Sequence, residues 1–165
     1  MEINTRTIRR LRDNLLQSAV QFAGSDAQPA PPAIRAAIAR RLAPFAEIMY
    51  LTMVADGEVA PAEQASLTAA LQILADGQFD PQELDALFEN FAFTAREVGV
   101  EERIMAIGAI LGADRDDRET AFTLAAAVAV ADEAVDVREN ALINLVREYF
   151  GITLARAAAL LDDVA

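Results

Sequence analysis

An acidic phrase recurs three times in this chain: "VADGEVAPAE" at 54–63, "LADGQFDPQE" at 74–83 and "VADEAVDVRE" at 130–139. Each copy has Ala-Asp, a hydrophobic residue three positions after the Asp and a Glu seven positions after it. Carboxylate oxygens at such a bend are ligands for hard cations: Ca²⁺, Mg²⁺ or Mn²⁺. One copy offers Asp56, Glu58 and Glu63, or Asp132, Glu133, Asp136 and Glu139. A Ca²⁺ site takes about six to eight oxygens, so two copies must face each other or water must complete the shell. The phrase is too short for an EF-hand, which places its last Glu at the twelfth loop position.

The same phrase also has a purely structural reading. In the second copy Asp80, Pro81 and Glu83 fit the N-cap, first and third positions of a new helix, a capping box. Asp136 and Glu139 fit two of these in the third copy, whereas Ala60 is a poor cap in the first. Gly57 and Gly77 suit the left-handed residue that ends the preceding helix. Asp56, Asp76 and Asp132 resist this account. Each lies at a helix C-terminus, where a negative charge opposes the macrodipole by about 0.3–1 kcal/mol. Two explanations stand side by side: an Asx-turn onto nearby N–H groups, or a bound cation.

The elements that position these turns read as helices. Ile8, Leu11, Leu15, Ala19 and Phe22 share a face over Thr5–Phe22. "GSDAQPAPP" at 24–32 breaks the pattern and reads as a linker. The expected organisation is thus a basic helix plus Pro-rich linker over 1–32 and an acidic helical domain over 33–165. Within it, Ala33–Ala55 is helical, with Pro44 as a kink or as the first turn of a second helix. Further helices are expected over Pro61–Ala75, Pro81–Phe91, residues 95–112, Asp116–Ala131 and Val137–Tyr149, with a last one ending near Asp163. Gly151 suits a left-handed stop and Thr153 an N-cap. No alternating strand pattern of useful length occurs. The expected fold is all-α, a bundle of seven to nine short helices.

Composition excludes much chemistry. The chain has no His and no Cys, and all fourteen of its basic residues are Arg. Zinc sites, thiol chemistry, His acid–base catalysis, a Walker loop and Schiff-base chemistry are therefore absent. Ser18, Ser25 and Ser66 stand in no G-x-S-x-G, so the reading is not an enzyme, with no organic cofactor. Uncharged runs such as Gln64–Ala75 fall short of the roughly 20 apolar residues of a membrane span. The charged start "MEINTRTIRRLRDN" lacks an apolar signal core, so the cytoplasm is the expected compartment. Residues 1–41 carry +4 and residues 42–165 carry −16, together the −12 of the chain. Such a body repels nucleic acid. Arg6, Arg9, Arg10 and Arg12 read first as the solvated side of a helix, with an anionic partner or a membrane surface as the other option.

"MVADGEVAPAEQASLTAAL" and "AVAVADEAVDVRENALINLVREYFGIT" resemble the two acidic helix–turn–helix segments of the TerB-like family, which includes the tellurite-resistance TerB proteins and a domain of membrane-anchored DnaJ-like proteins. The resemblance spans about residues 35–160. It implies an all-helical fold whose halves are related by an approximate internal two-fold repeat. It also implies a divalent-cation site at the paired turns, carried over by position to Asp56 and Glu63 in the first and Asp132 and Glu139 in the second. Glu133 stands where the family usually has Gly, so the second turn is expected to be built differently. The function so implied is a non-enzymatic, cation-responsive protein linked to tellurite resistance or stress. The alternative is an acidic protein-interaction module with no metal, and both expect an unidentified protein partner.

Overall fold

In a computed structural model of the chain, the described residues are 3–16, 31–55, 57, 59–131 and 137–162. They form eight helices and no strand: α1 (Thr5–Leu16), α2 (Pro32–Met53), α3 (Pro61–Leu74), α4 (Pro81–Val98), α5 (Val100–Leu111), α6 (Arg115–Val130), α7 (Val137–Tyr149) and α8 (Leu154–Asp162). The helical class expected from the periodicity is the class observed. No helix among the described residues is long and apolar enough to cross a membrane.

Local signals account for most boundaries. The Asn4 side chain accepts the N–H groups of Arg6 and Thr7 and starts α1. Asp114 does the same for Asp116 and Asp117 at the start of α6. Two boundaries differ from expectation. Pro44 does not start a new helix, because α2 runs unbroken through it. The Arg40 carbonyl loses the N–H it would receive from position 44, a cost of about 3 kcal/mol for an interior proline. Burial of Phe45, Ile48, Met49 and Leu51 just beyond it opposes that loss. The second difference is in the 81–112 region, where the chain does not stop near Phe91. Helix α4 continues to Val98, and the break falls at Gly99, whose φ of +104° suits glycine alone.

Helices α2 and α6 form the centre of the molecule. The Arg41 guanidinium holds the Asp117 carboxylate through two bonds, one of 2.6 Å. Just past that pair both helices become continuously buried, over 44–49 and 51–53 in α2 and over 120–129 in α6. The small side chains of Ala121, Ala125 and Ala126 let α6 approach its neighbours closely. Around α2 and α6, α1 packs on α3, and α5 on α7. Likewise α2 packs on α3 and α4, and α6 on α7 and α8.

The basic first helix shares this core. Ile8, Leu11 and Leu15 are buried, while Arg6, Arg9 and Arg10 are exposed, as a solvated face would be. Residues 17–30, which hold most of the expected linker and the end of the expected first helix, lie outside the described residues. Gly108 marks a close approach of α5 to the end of α7. A Cβ there would stand 2.9 Å from the Tyr149 carbonyl oxygen and 3.1 Å from the Phe150 ring.

Candidate functional site

The turn at 74–83 is described in full and shows how the acidic phrase is built. Helix α3 ends in a Schellman motif: the Gly77 N–H donates to the Gln72 carbonyl at 2.8 Å, and the Asp76 N–H to Ile73 at 3.1 Å. The left-handed residue that ends the helix is therefore Asp76 itself, at φ +54°, followed by Gly77 at +69°. Asp is among the few non-glycine residues that visit this region readily. Its charge is answered across the chain, since Arg12 of α1 donates to the Asp76 carboxylate at 3.1 Å. The expected capping box is present, with the Glu83 N–H on Asp80 and the Asp80 N–H on Glu83, both at 2.9 Å. Glu83 also holds Arg35 through two bonds of 2.6 and 2.8 Å. Arg35 donates in turn to the Gln78 carbonyl at 3.1 Å and lies over the Phe79 ring. In this copy, arginines do the work that the cation explanation assigned to a metal.

The turn at 54–63 differs. Gly57 takes φ +89° and donates to the Val54 carbonyl at 3.0 Å. Ala60 has no side-chain oxygen, so only half of a capping box forms. The Glu63 carboxylate accepts the Ala60 N–H through Oε2 at 3.0 Å. No arginine among the described residues pairs with Glu63. Of the four carboxylates carried over to the cation site, Glu63 is the one whose side chain is described. Asp56 and Asp132 lie outside the described residues, as does the Glu139 side chain on α7. Among the described residues no three carboxylates stand close enough together to hold a metal ion.

The Arg41–Asp117 pair sets where these turns are entered. Met53, the last residue of α2, lies twelve residues beyond Arg41, and Val130, the last of α6, thirteen beyond Asp117. At 1.5 Å per residue these are rises of about 18 and 20 Å. The pair thus fixes one point of contact between α2 and α6 at a known distance from each turn.

Sequence reasoning missed a second cluster of charge. Glu119 on α6 accepts from Arg156 of α8 at 2.7 and 3.0 Å and from Arg115, one turn earlier, at 2.8 Å. The bonds from Arg156, then those from Arg115, hold the Glu119 carboxyl down at about 2, against a desolvation that raises it. The i, i+4 spacing of Arg115 and Glu119 was visible in "RDDRE", but Arg156 comes from 37 residues away. The folded value lies below the ordinary 4.5, so the pairing stabilises the fold above that pH and the contribution is lost as pH falls toward 2. Urea titrations should show the native chain more stable than Glu119→Gln at pH 6, with the gap closing by pH 2. A constant gap across that range would refute the assignment.

The comparisons with known proteins fit this architecture. The family model described as tellurite resistance protein TerB matches residues 42–161, from within α2 into α8. No curated protein and no solved structure matches the chain. With most of its length covered by that model, the chain belongs to the TerB family.

Proposed function

We propose that this chain is a non-enzymatic, divalent-cation-binding protein of the tellurite-resistance type, acting in the cytoplasm. The cation is held between the turn carrying Asp56 and Glu63 and the turn carrying Asp132 and Glu139. One contrast carries the reading. The middle copy of the acidic phrase spends its Asp and Glu on Arg12 and Arg35, whereas Glu63 in the first copy meets no arginine among the described residues. Its Oε1 is left uncommitted by the cap. Contact between α2 and α6, the helices that lead into the first and third turns, supports the pairing of those two turns. Carboxylates brought together repel one another, and a hard cation relieves that repulsion.

Isothermal titration of the full chain with Ca²⁺, Mg²⁺ and Mn²⁺ tests this. Asp56→Asn should weaken binding by about tenfold or more, about 1.4 kcal/mol. Asp76→Asn should leave it unchanged, because Asp76 already has Arg12 and Asn tolerates the same left-handed backbone. Absence of heat and of any melting shift with all three ions would end the proposal, as would equal losses in the two variants.

The charge of the body favours a second reading, an acidic module that docks a basic protein. Residues 42–165 carry −16, and Phe93 and Ile110 are exposed on the surface. Partner capture that depends on salt but not on chelator would select this reading.

A further inference from the structure

A cavity of about 320 Å³ opens between the start of α6, the α7–α8 turn and the first turn of α8. Three arginines line it, Arg115, Arg118 and Arg156, against the single acid Glu119. A pocket of net +2 is a departure in a chain of −12. The arginines are held in place from below. Arg118 donates through Nη1 to the Phe150 carbonyl at 3.2 Å, while its Nε is buried with no hydrogen-bond partner among the described residues. Arg115 uses its Nε on Glu119, and its side chain is 70% exposed, so its outer nitrogens are open to solvent at the lining of the pocket. Gly151, at φ +66°, leaves room beside Arg118, since a Cβ there would stand 3.4 Å from Nη1. The pocket also borders the N-terminus of α8, where Thr153 accepts the Arg156 N–H at 3.2 Å and the first-turn N–H groups carry partial positive charge.

We propose that this pocket binds a doubly charged oxyanion, with Arg115, Arg118 and the start of α8 as donors and Glu119 as the negative charge that limits affinity. Guanidinium groups favour such anions because their planar N–H pairs match two oxygens at once. Phosphate and tellurite share this chemistry, and both are small enough for the cavity. The site is separate from the acidic turns, so it stands or falls independently of the cation reading.

The test is isothermal titration of the full chain with sodium phosphate and with sodium tellurite, in chloride of matched ionic strength. Saturable binding of either anion is expected, and the anion that binds identifies the source. Arg115→Gln should weaken it by about tenfold, as loss of one charge-assisted contact does. Its exposure makes a folding failure an unsuitable explanation. Glu119→Gln removes the opposing charge and should tighten binding several-fold. Arg96→Gln, on α4 and bonded to the Ala92 carbonyl, serves as the neutral control. The proposal is overturned if neither anion gives saturable heat at millimolar concentration, if Arg115→Gln binds as the native chain does, or if Glu119→Gln weakens binding.

Discussion

Arg103→Ala should lower the unfolding free energy by about 3–5 kcal/mol, the usual result of removing one partner of a buried ion pair. Glu47 lies on the central helix α2 with its side chain 7% exposed, and Arg103 of α5 reaches it with its own at 22%. Two bonds of 2.7 and 2.8 Å form the fork. Bonding to Glu47, ahead of the opposing effect of burial, raises the Arg103 guanidinium above its ordinary value. Truncation leaves the Glu47 carboxylate desolvated and uncompensated among Phe45, Ile48 and Met49, its neighbours along a buried stretch. Urea denaturation at neutral pH reads the loss. Replacing both residues by Met should restore most of it, since apolar groups of similar volume substitute well for a buried pair. A loss below about 1 kcal/mol for Arg103→Ala would show that water still reaches Glu47, as in a surface pair.

Phe45→Ala should cost a similar amount, about 3–5 kcal/mol, by removing a ring that is fully buried beneath the α2–α6 contact. Here the mechanism is a cavity together with a loosened ion pair. The Arg41 guanidinium lies 5.4 Å from the Phe45 ring centroid, which steadies it for Asp117. With the ring gone, the two helices lose packing and part of their electrostatic clasp at one level. For a chain of this size the melting midpoint should fall by roughly 10 °C. Phe45→Leu should recover most of the stability, because it refills much of the volume without restoring the ring. If Phe45→Ala melted within a degree or two of the native chain, the two central helices would not be held at that level.

Near-neighbour physics explains what was legible in the sequence. A capping box joins residues three apart, so Asp80 and Glu83 announced the start of α4. The left-handed stop at Gly151 and the restart at Thr153 were readable for the same reason. The acidic phrase was legible as punctuation, but its Asp was not fully so. Glycine was the expected left-handed residue in the second copy, and Asp76 takes that conformation first. Pro44 starts no second helix because propensity weighs one residue, whereas packing weighs a whole face.

The sequence by itself determined an all-helical chain, most helix limits and the family to which it belongs, because those depend on periodicity and on hydrogen bonds spanning a few residues. Only the tertiary structure decided which charges meet. Arg12 finds Asp76 across 64 positions, Arg103 finds Glu47 across 56, and Arg156 finds Glu119 across 37. Ionic attraction acts through space and leaves no period along the chain. The contact of α2 with α6, the arginines gathered around Glu119 and the neutralised middle turn were fixed by burial of apolar faces, with each charge taking the partner that the packed helices brought within reach.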